Sequence, residues 1–127
     1  MKIAVSVAGQ SLEDQVDPRF GRCQSFLVVN SDTMDFEPVA NTAATSGGGA
    51  GIAAAQMIVD KGAEVVLTGN CGPNAFSVLE KASIHVITGV TGTVREAVEN
   101  YKTGKYQPSS QANVDAHSGS GGGQGRK

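Results

Sequence analysis

Apolar and polar positions follow two different periods along this chain. From Ile3 to Ala8, IAVSVA alternates large and small residues, which places Ile3, Val5 and Val7 on one face of a strand. Gly9 to Arg22 is polar and carries Asp17-Pro18, so it predicts a loop. Ser25-Phe-Leu-Val-Val-Asn30 predicts a second strand, and Asp32 to Asp35 a turn. Phe36 to Ala40 predicts a third strand, whose Pro38 is tolerated at a sheet edge. Then the period lengthens. After Ser46-Gly-Gly-Gly-Ala-Gly51, the run Ile52 to Lys61 predicts a helix that Gly62 stops. Its expected face is Ile52, Ala55, Gln56 and Val59, with Ile58 beside it. Ala63 to Thr68 is almost continuously apolar, the signature of a strand buried on both faces. Pro73 stands where a helix begins without losing a hydrogen bond, and Ala75, Phe76, Leu79 and Ala82 recur behind it at helical spacing. Ile84 to Thr88 predicts a fifth strand. Thr93-Val-Arg-Glu96 fits a capping box opening a last helix, striped by Val94, Ala97, Val98 and Tyr101 and ended by Gly104.

The order is therefore β-β-β-α-β-α-β-α. The link between strands 2 and 3 is short, so the three early strands are expected to form a meander. The later strand–helix–strand units must cross over right-handed and lie parallel. Sheet order 3-2-1-4-5, with strand 2 antiparallel and helices on both faces, satisfies these constraints. The fold class is α/β with a five-stranded mixed sheet.

Composition changes this picture at one end. The chain has 127 residues, 39% of them hydrophobic and 17 of them glycine. One α/β domain over residues 1–104 is expected, followed by a flexible Gly/Ser-rich tail over 105–127, where SGSGGGQGRK buries too little apolar surface to order itself. The net charge of −2 and pI near 5.6 give no support for charge-driven nucleic-acid binding. The apolar run at the N-terminus is too short for a signal peptide and no spanning segment follows, so a soluble cytoplasmic protein with no membrane partner is expected. Two cysteines make no disulfide scaffold.

The expected topology gathers candidate chemistry on one rim. The loops after strands 3 and 4 and the start of strand 2 all lie at the carboxyl edge, where open α/β sheets bind ligands. That edge collects Cys23, Cys71, Arg19, Arg22, the Gly47–Gly51 loop, the Asn70–Asn74 loop and two helix N-termini. Helix N-termini present unpaired N–H groups and partial positive charge, and glycines let a ligand approach the backbone. Gly47, Gly48, Gly49, Gly51, Asn70, Gly72 and Asn74 are candidate donors, with Arg19 and Arg22 as cations. Cys71, just before a helix start where a thiolate is favoured, and Cys23 are candidate soft-metal ligands.

Other motifs are weaker. Gly49-Ala-Gly51-Ile-Ala-Ala54 matches the dinucleotide pattern G-x-G-x-x-A, yet a poor strand precedes it and no ribose-binding acid is well placed. Cys71 as a nucleophile lacks the arginine a phosphatase loop needs, and His85 and His117 are not obvious bases. Cys71 as a small packed turn residue weighs about as much as Cys71 as ligand. Cys23 opens a strand, more often a packing role. Two Cys and two scattered His supply no structural zinc site. A thiol switch between Cys23 and Cys71 is a further reading and requires adjacent sulfurs.

MKIAVSVAG, DPRFGRCQSFLVV and GGGAGIAAAQMIVDKGAEVVLTGNCGPNAFSVLEKASIHVITG, in that order and spacing over about Met1 to Tyr101, resemble the dinitrogenase iron–molybdenum cofactor biosynthesis family. The resemblance implies a ribonuclease-H-like α/β fold and a non-enzymatic carrier of metal–sulfur clusters, acting as a monomer or weak dimer. It is strongest to the small stand-alone members, and so implies a molybdenum–copper sulfide cluster, or a precursor of the iron–molybdenum cofactor, as cargo. It also implies a link to Mrp/MinD-type ATPase partners. A metal-free regulatory module acting with such an ATPase is the alternative. A ribonuclease-H-type nuclease would need carboxylates around two metal ions, one inside the first strand, and IAVSVA has none.

Overall fold

The computed structural model describes residues 1–43 and 49–106. The candidates Gly47 and Gly48, His117, and the expected tail from residue 107 onward lie outside them. The elements are β1 (Lys2–Val7), β2 (Ser25–Asn30), β3 (Phe36–Ala40), α1 (Ala50–Asp60), β4 (Val65–Leu67), α2 (Pro73–Lys81), β5 (His85–Ile87) and α3 (Val94–Lys102). One sheet holds all five strands in the order β3-β2-β1-β4-β5. The β1–β2 and β2–β3 pairs are antiparallel, and the β1–β4 and β4–β5 pairs parallel. This is the mixed sheet the alternating patterns predict.

Strand alternation divides the core into two. Ile3, Val5, Val7, Leu27, Val29, Val65 and Leu67 face one side, and there Val94, Ala97 and Val98 of α3 cover them. Ala4, Phe26, Val66 and Val86 face the other, under α1 and α2. Because both faces are covered, β1 and β4 are buried from Ile3 to Val7 and from Val65 to Leu67. Among the described residues no helix is long and apolar enough to cross a membrane.

Two expectations are corrected. α1 buries Ala50, Ala54, Ala55 and Ile58, while Gln56 is exposed and Ile52 is 44% exposed. Three of the four buried residues are alanines. They let α1 lie close to α2, where a Cβ on Gly51 would stand only 3.5 Å from the Ala75 Cβ. Ala82, expected on the buried stripe of α2, is an exposed C-cap. The loop after β1 is also less polar than its composition implies, since Leu12, Val16 and Phe20 are buried. It closes over the start of α3: Asp14 and Leu12 carbonyls accept the Val94 and Arg95 N–H groups at 2.9 Å each. Tyr106, two residues beyond the expected domain end, packs against the α3-side core.

Candidate functional site

At the carboxyl ends of β1 and β4 two loops are stitched together. The Asn70 N–H donates to the Pro18 carbonyl at 2.7 Å, and the Phe20 N–H donates to the Asn70 carbonyl at 3.2 Å. Only glycine fits at position 69, because a Cβ there would stand 2.5 Å from the Pro18 Cα. Beneath them lies a buried polar group. The Asp17 N–H donates to the Ser6 carbonyl at 2.8 Å. The Ser6 hydroxyl donates to the Asp17 carbonyl at 2.7 Å and lies 2.8 Å from the Thr68 hydroxyl. The Asp17 carboxylate accepts the Arg19 N–H at 2.9 Å and its guanidinium at two points, 3.3 Å each. That ion pair raises the affinity of Arg19 for its proton.

Beside this junction opens a cleft of about 400 Å³. Phe20, Gly21 and Arg22 form one wall, Gly49, Gly51 and Ile52 at the start of α1 another, and Gly72 to Ala75 at the start of α2 the third. Four of its ten lining residues are glycine. Gly21 backs directly onto Gly51, where an added Cβ would meet the Gly51 Cα at 3.0 Å. The helix starts here are unusual. Gly49 caps α1 in a left-handed conformation (φ 89°) that favours glycine, and Gly72 caps α2 in an extended one. Among the described residues neither receives a side-chain cap, and neither has an acidic residue in its first turn. At α3, in contrast, Thr93 and Glu96 complete a capping box. The loop carbonyls take the remaining early N–H groups of that helix.

Of the sequence candidates, the structure brings Arg22, Gly49, Gly51, Gly72 and Asn74 together in the cleft. Arg19 and Asn70 sit at the stitched junction instead, where the Asn70 N–H is already bonded to Pro18. Pro73 of the expected Asn70–Asn74 loop also lines the cleft, as do Phe20, Gly21, Ile52 and Ala75, which are not among the candidates. The signal for Phe20 and Gly21 was their position between two arginines.

Both cysteines are thiols within the α1–α2 core. Burial pushes the Cys71 thiol up to about 12. Burial, reinforced by the negative charge of Asp17, pushes Cys23 up to about 12 as well. The thiolate expected at the start of α2 is therefore opposed by desolvation. The Cys23 Sγ lies 3.3 Å from the Phe20 carbonyl and accepts the Asn41 amide at 3.7 Å. His85 begins β5, at the end of the sheet opposite the cleft. Among the described residues no three His, Cys, Asp or Glu side chains converge on a point that could hold a metal ion.

Comparison with known proteins agrees with this fold. Residues 1–104 match the family model described as dinitrogenase iron-molybdenum cofactor. The apo form of the orange protein from Desulfovibrio gigas superposes with a TM-score of 0.86 at 43% identity, over 88% of this chain and 95% of that one. A Thermotoga protein named for NifB, of the DUF35 family, superposes with a TM-score of 0.73 at 31% identity, over 84% of this chain and 91% of that one. An uncharacterised protein of Methanocaldococcus jannaschii is 31% identical over 110 residues, 84% of this chain and 90% of its own. The chain belongs to the dinitrogenase iron-molybdenum cofactor family.

Proposed function

We propose that this protein binds an anionic metal–sulfur cluster, or a precursor of one, in the cleft between α1 and α2 and carries it without catalysing a reaction. One observation carries the reading: two helix N-termini, without side-chain caps among the described residues, converge with Arg22 on a cleft lined by Gly21, Gly49, Gly51 and Gly72. Each helix end is equivalent to roughly half a positive charge, so with Arg22 the cleft presents about two positive charges to a ligand. Thiomolybdate-type sulfides carry negative charge and accept hydrogen bonds at sulfur, which suits backbone N–H donors. The family match supports a metal–sulfur cargo, and the molybdenum–copper sulfide form of it is the one implied by the resemblance to the small stand-alone members. The buried protonated cysteines favour holding the cargo by charge and N–H groups rather than by thiolate bonds, which suits reversible carriage.

The test is reconstitution of the apo-protein with tetrathiomolybdate and copper, followed by desalting. Charge-transfer absorption and a fixed metal stoichiometry are expected in the protein fraction. Absorption no greater than that of a heat-denatured control would sink the proposal.

A second reading is a metal-free regulatory module that works with an Mrp/MinD-type ATPase. Ile52, large, apolar and 44% exposed at the lip of the cleft, favours a protein partner at this edge. Capture of the same ATPase by chelated and by cluster-loaded protein would favour this reading, and capture only by the loaded form would favour carriage.

A further inference from the structure

We infer that Asp17 and Arg19 act as a positioning pair for the Phe20–Gly21–Arg22 wall, and that Arg19 is not a counter-ion of the cargo. The inference rests on the anion-binding reading of the cleft. Its basis is how differently the two arginines are placed. Arg22 lines the cleft, whereas Arg19 does not. Arg19 reaches back to Asp17, whose side chain is only 6% exposed, through Nε and Nη2 at 3.3 Å each and its own N–H at 2.9 Å. An anion that drew the guanidinium away would leave the buried Asp17 carboxylate with the Arg19 N–H and without its two side-chain donors, an unfavourable state. The pair is therefore closed to the cargo and open to another task.

That task follows from the chain path. Asp17 is anchored below by both Ser6 bonds, and Pro18 and Phe20 are anchored at the side by Asn70. The guanidinium folds back over this turn, so residues 17–20 are held from three directions. The next two residues, Gly21 and Arg22, form the cleft wall, with Gly21 against Gly51. Loss of the Asp17–Arg19 grip frees the turn that aims Arg22.

Titration with tetrathiomolybdate over a range of sodium chloride concentrations separates the roles. Arg19→Lys keeps the charge but loses the planar two-point grip. Arg19→Lys and Arg19→Ala are each expected to weaken binding about five- to tenfold, with the salt dependence of the wild type retained. Arg22→Ala is expected to weaken binding and flatten the salt dependence. Adding Asp17→Asn to Arg19→Ala is expected to cause little further loss, as for two members of one unit. Amide exchange at Phe20 and Asn70 should quicken in Arg19→Lys while the β1 amides keep their protection. Wild-type affinity in Arg19→Lys, or a flattened salt dependence in Arg19→Ala, overturns the inference. So does unchanged protection at Phe20 and Asn70. If the wild type binds no tetrathiomolybdate, the anion reading falls and takes this inference with it. If the wild type binds and the Arg19 variants bind equally well, the inference falls alone.

Discussion

Gly69→Ala tests the stitched junction on which the cleft depends. The added methyl would stand 2.5 Å from the Pro18 Cα, 2.9 Å from its Cβ and 3.0 Å from its carbonyl oxygen. Carbon–carbon contacts settle at about 3.5–4.0 Å, so the Pro18 turn must retreat by about 1 Å. The obstructing atoms include backbone, so no side-chain rotation relieves the clash. The retreat stretches the Asn70–Pro18 bond, now 2.7 Å, and the Phe20–Asn70 bond, now 3.2 Å. Overpacking costs about 1–3 kcal/mol and stretching, without breaking, the two hydrogen bonds adds about 1 kcal/mol in all, so the expected loss is about 2–4 kcal/mol. Gly51→Ala is the matched control, since its methyl would meet the Ala75 Cβ at an ordinary 3.5 Å. There alanine's better helix propensity stabilises by up to about 1 kcal/mol. Urea unfolding followed by circular dichroism gives both values, with the m-value expected to stay constant. Gly51→Ala should nevertheless bind tetrathiomolybdate more weakly, because the methyl enters the cleft between two lining residues. Gly69→Ala within about 1 kcal/mol of wild type would refute the steric reasoning.

Other outcomes follow from the thiols and from α3. Each cysteine's proton affinity rises on folding from the ordinary 9.0 to about 12, so the thiol contribution to stability is complete below pH 9 and is lost between pH 9 and pH 12. The expected slope is about 1.4 kcal/mol per pH unit for each thiol. Urea midpoints between pH 8 and pH 10.5 should show the fall, and a Cys23→Ala/Cys71→Ala variant should flatten it. In the folded apo-protein at neutral pH, a disulfide-exchange reagent should label fewer than one thiol in the time that denatured chains label both. Thr93→Ala removes the side-chain oxygen that accepts the Glu96 N–H at 3.1 Å, and should cost about 1 kcal/mol in unfolding experiments. Its tetrathiomolybdate affinity should equal that of the wild type, because α3 begins away from the cleft.

Much of the fold was legible because its two periods are clean. Ile3, Val5 and Val7 alternate without a break, and Thr93 and Glu96 mark a helix start by pairing with each other. The face of α1 departs from expectation because a stripe drawn through Ile52 is displaced from the one centred on Ala54, Ala55 and Ile58. Packing against α2 selects small volume there, and volume is a property of the neighbour as well as of the residue. Leu12, Val16 and Phe20 were hidden among polar residues in the loop after β1, where no regular period exposes them. The site was legible as a rim. Strand order alone brought Arg22, Gly49, Gly51, Gly72 and Asn74 to one edge. What periodicity could not give was depth and pairing. It left open that Cys71 points inward, that Asn70 spends its N–H on Pro18, and that Arg19 turns back to Asp17.

The cleft surfaced by glycine and helix ends bears on how its residues can be found by mutation. Replacing side chains one by one with alanine leaves main-chain N–H groups in place, so such a survey would record Arg22 and little else in this cleft. Changes that add atoms or remove the N–H, such as Gly51→Val or Asn74→Pro, address the donors themselves. Random mutagenesis scored for loss of cargo should therefore be richest in substitutions that enlarge glycines, and poorest in truncations of the side chains around them.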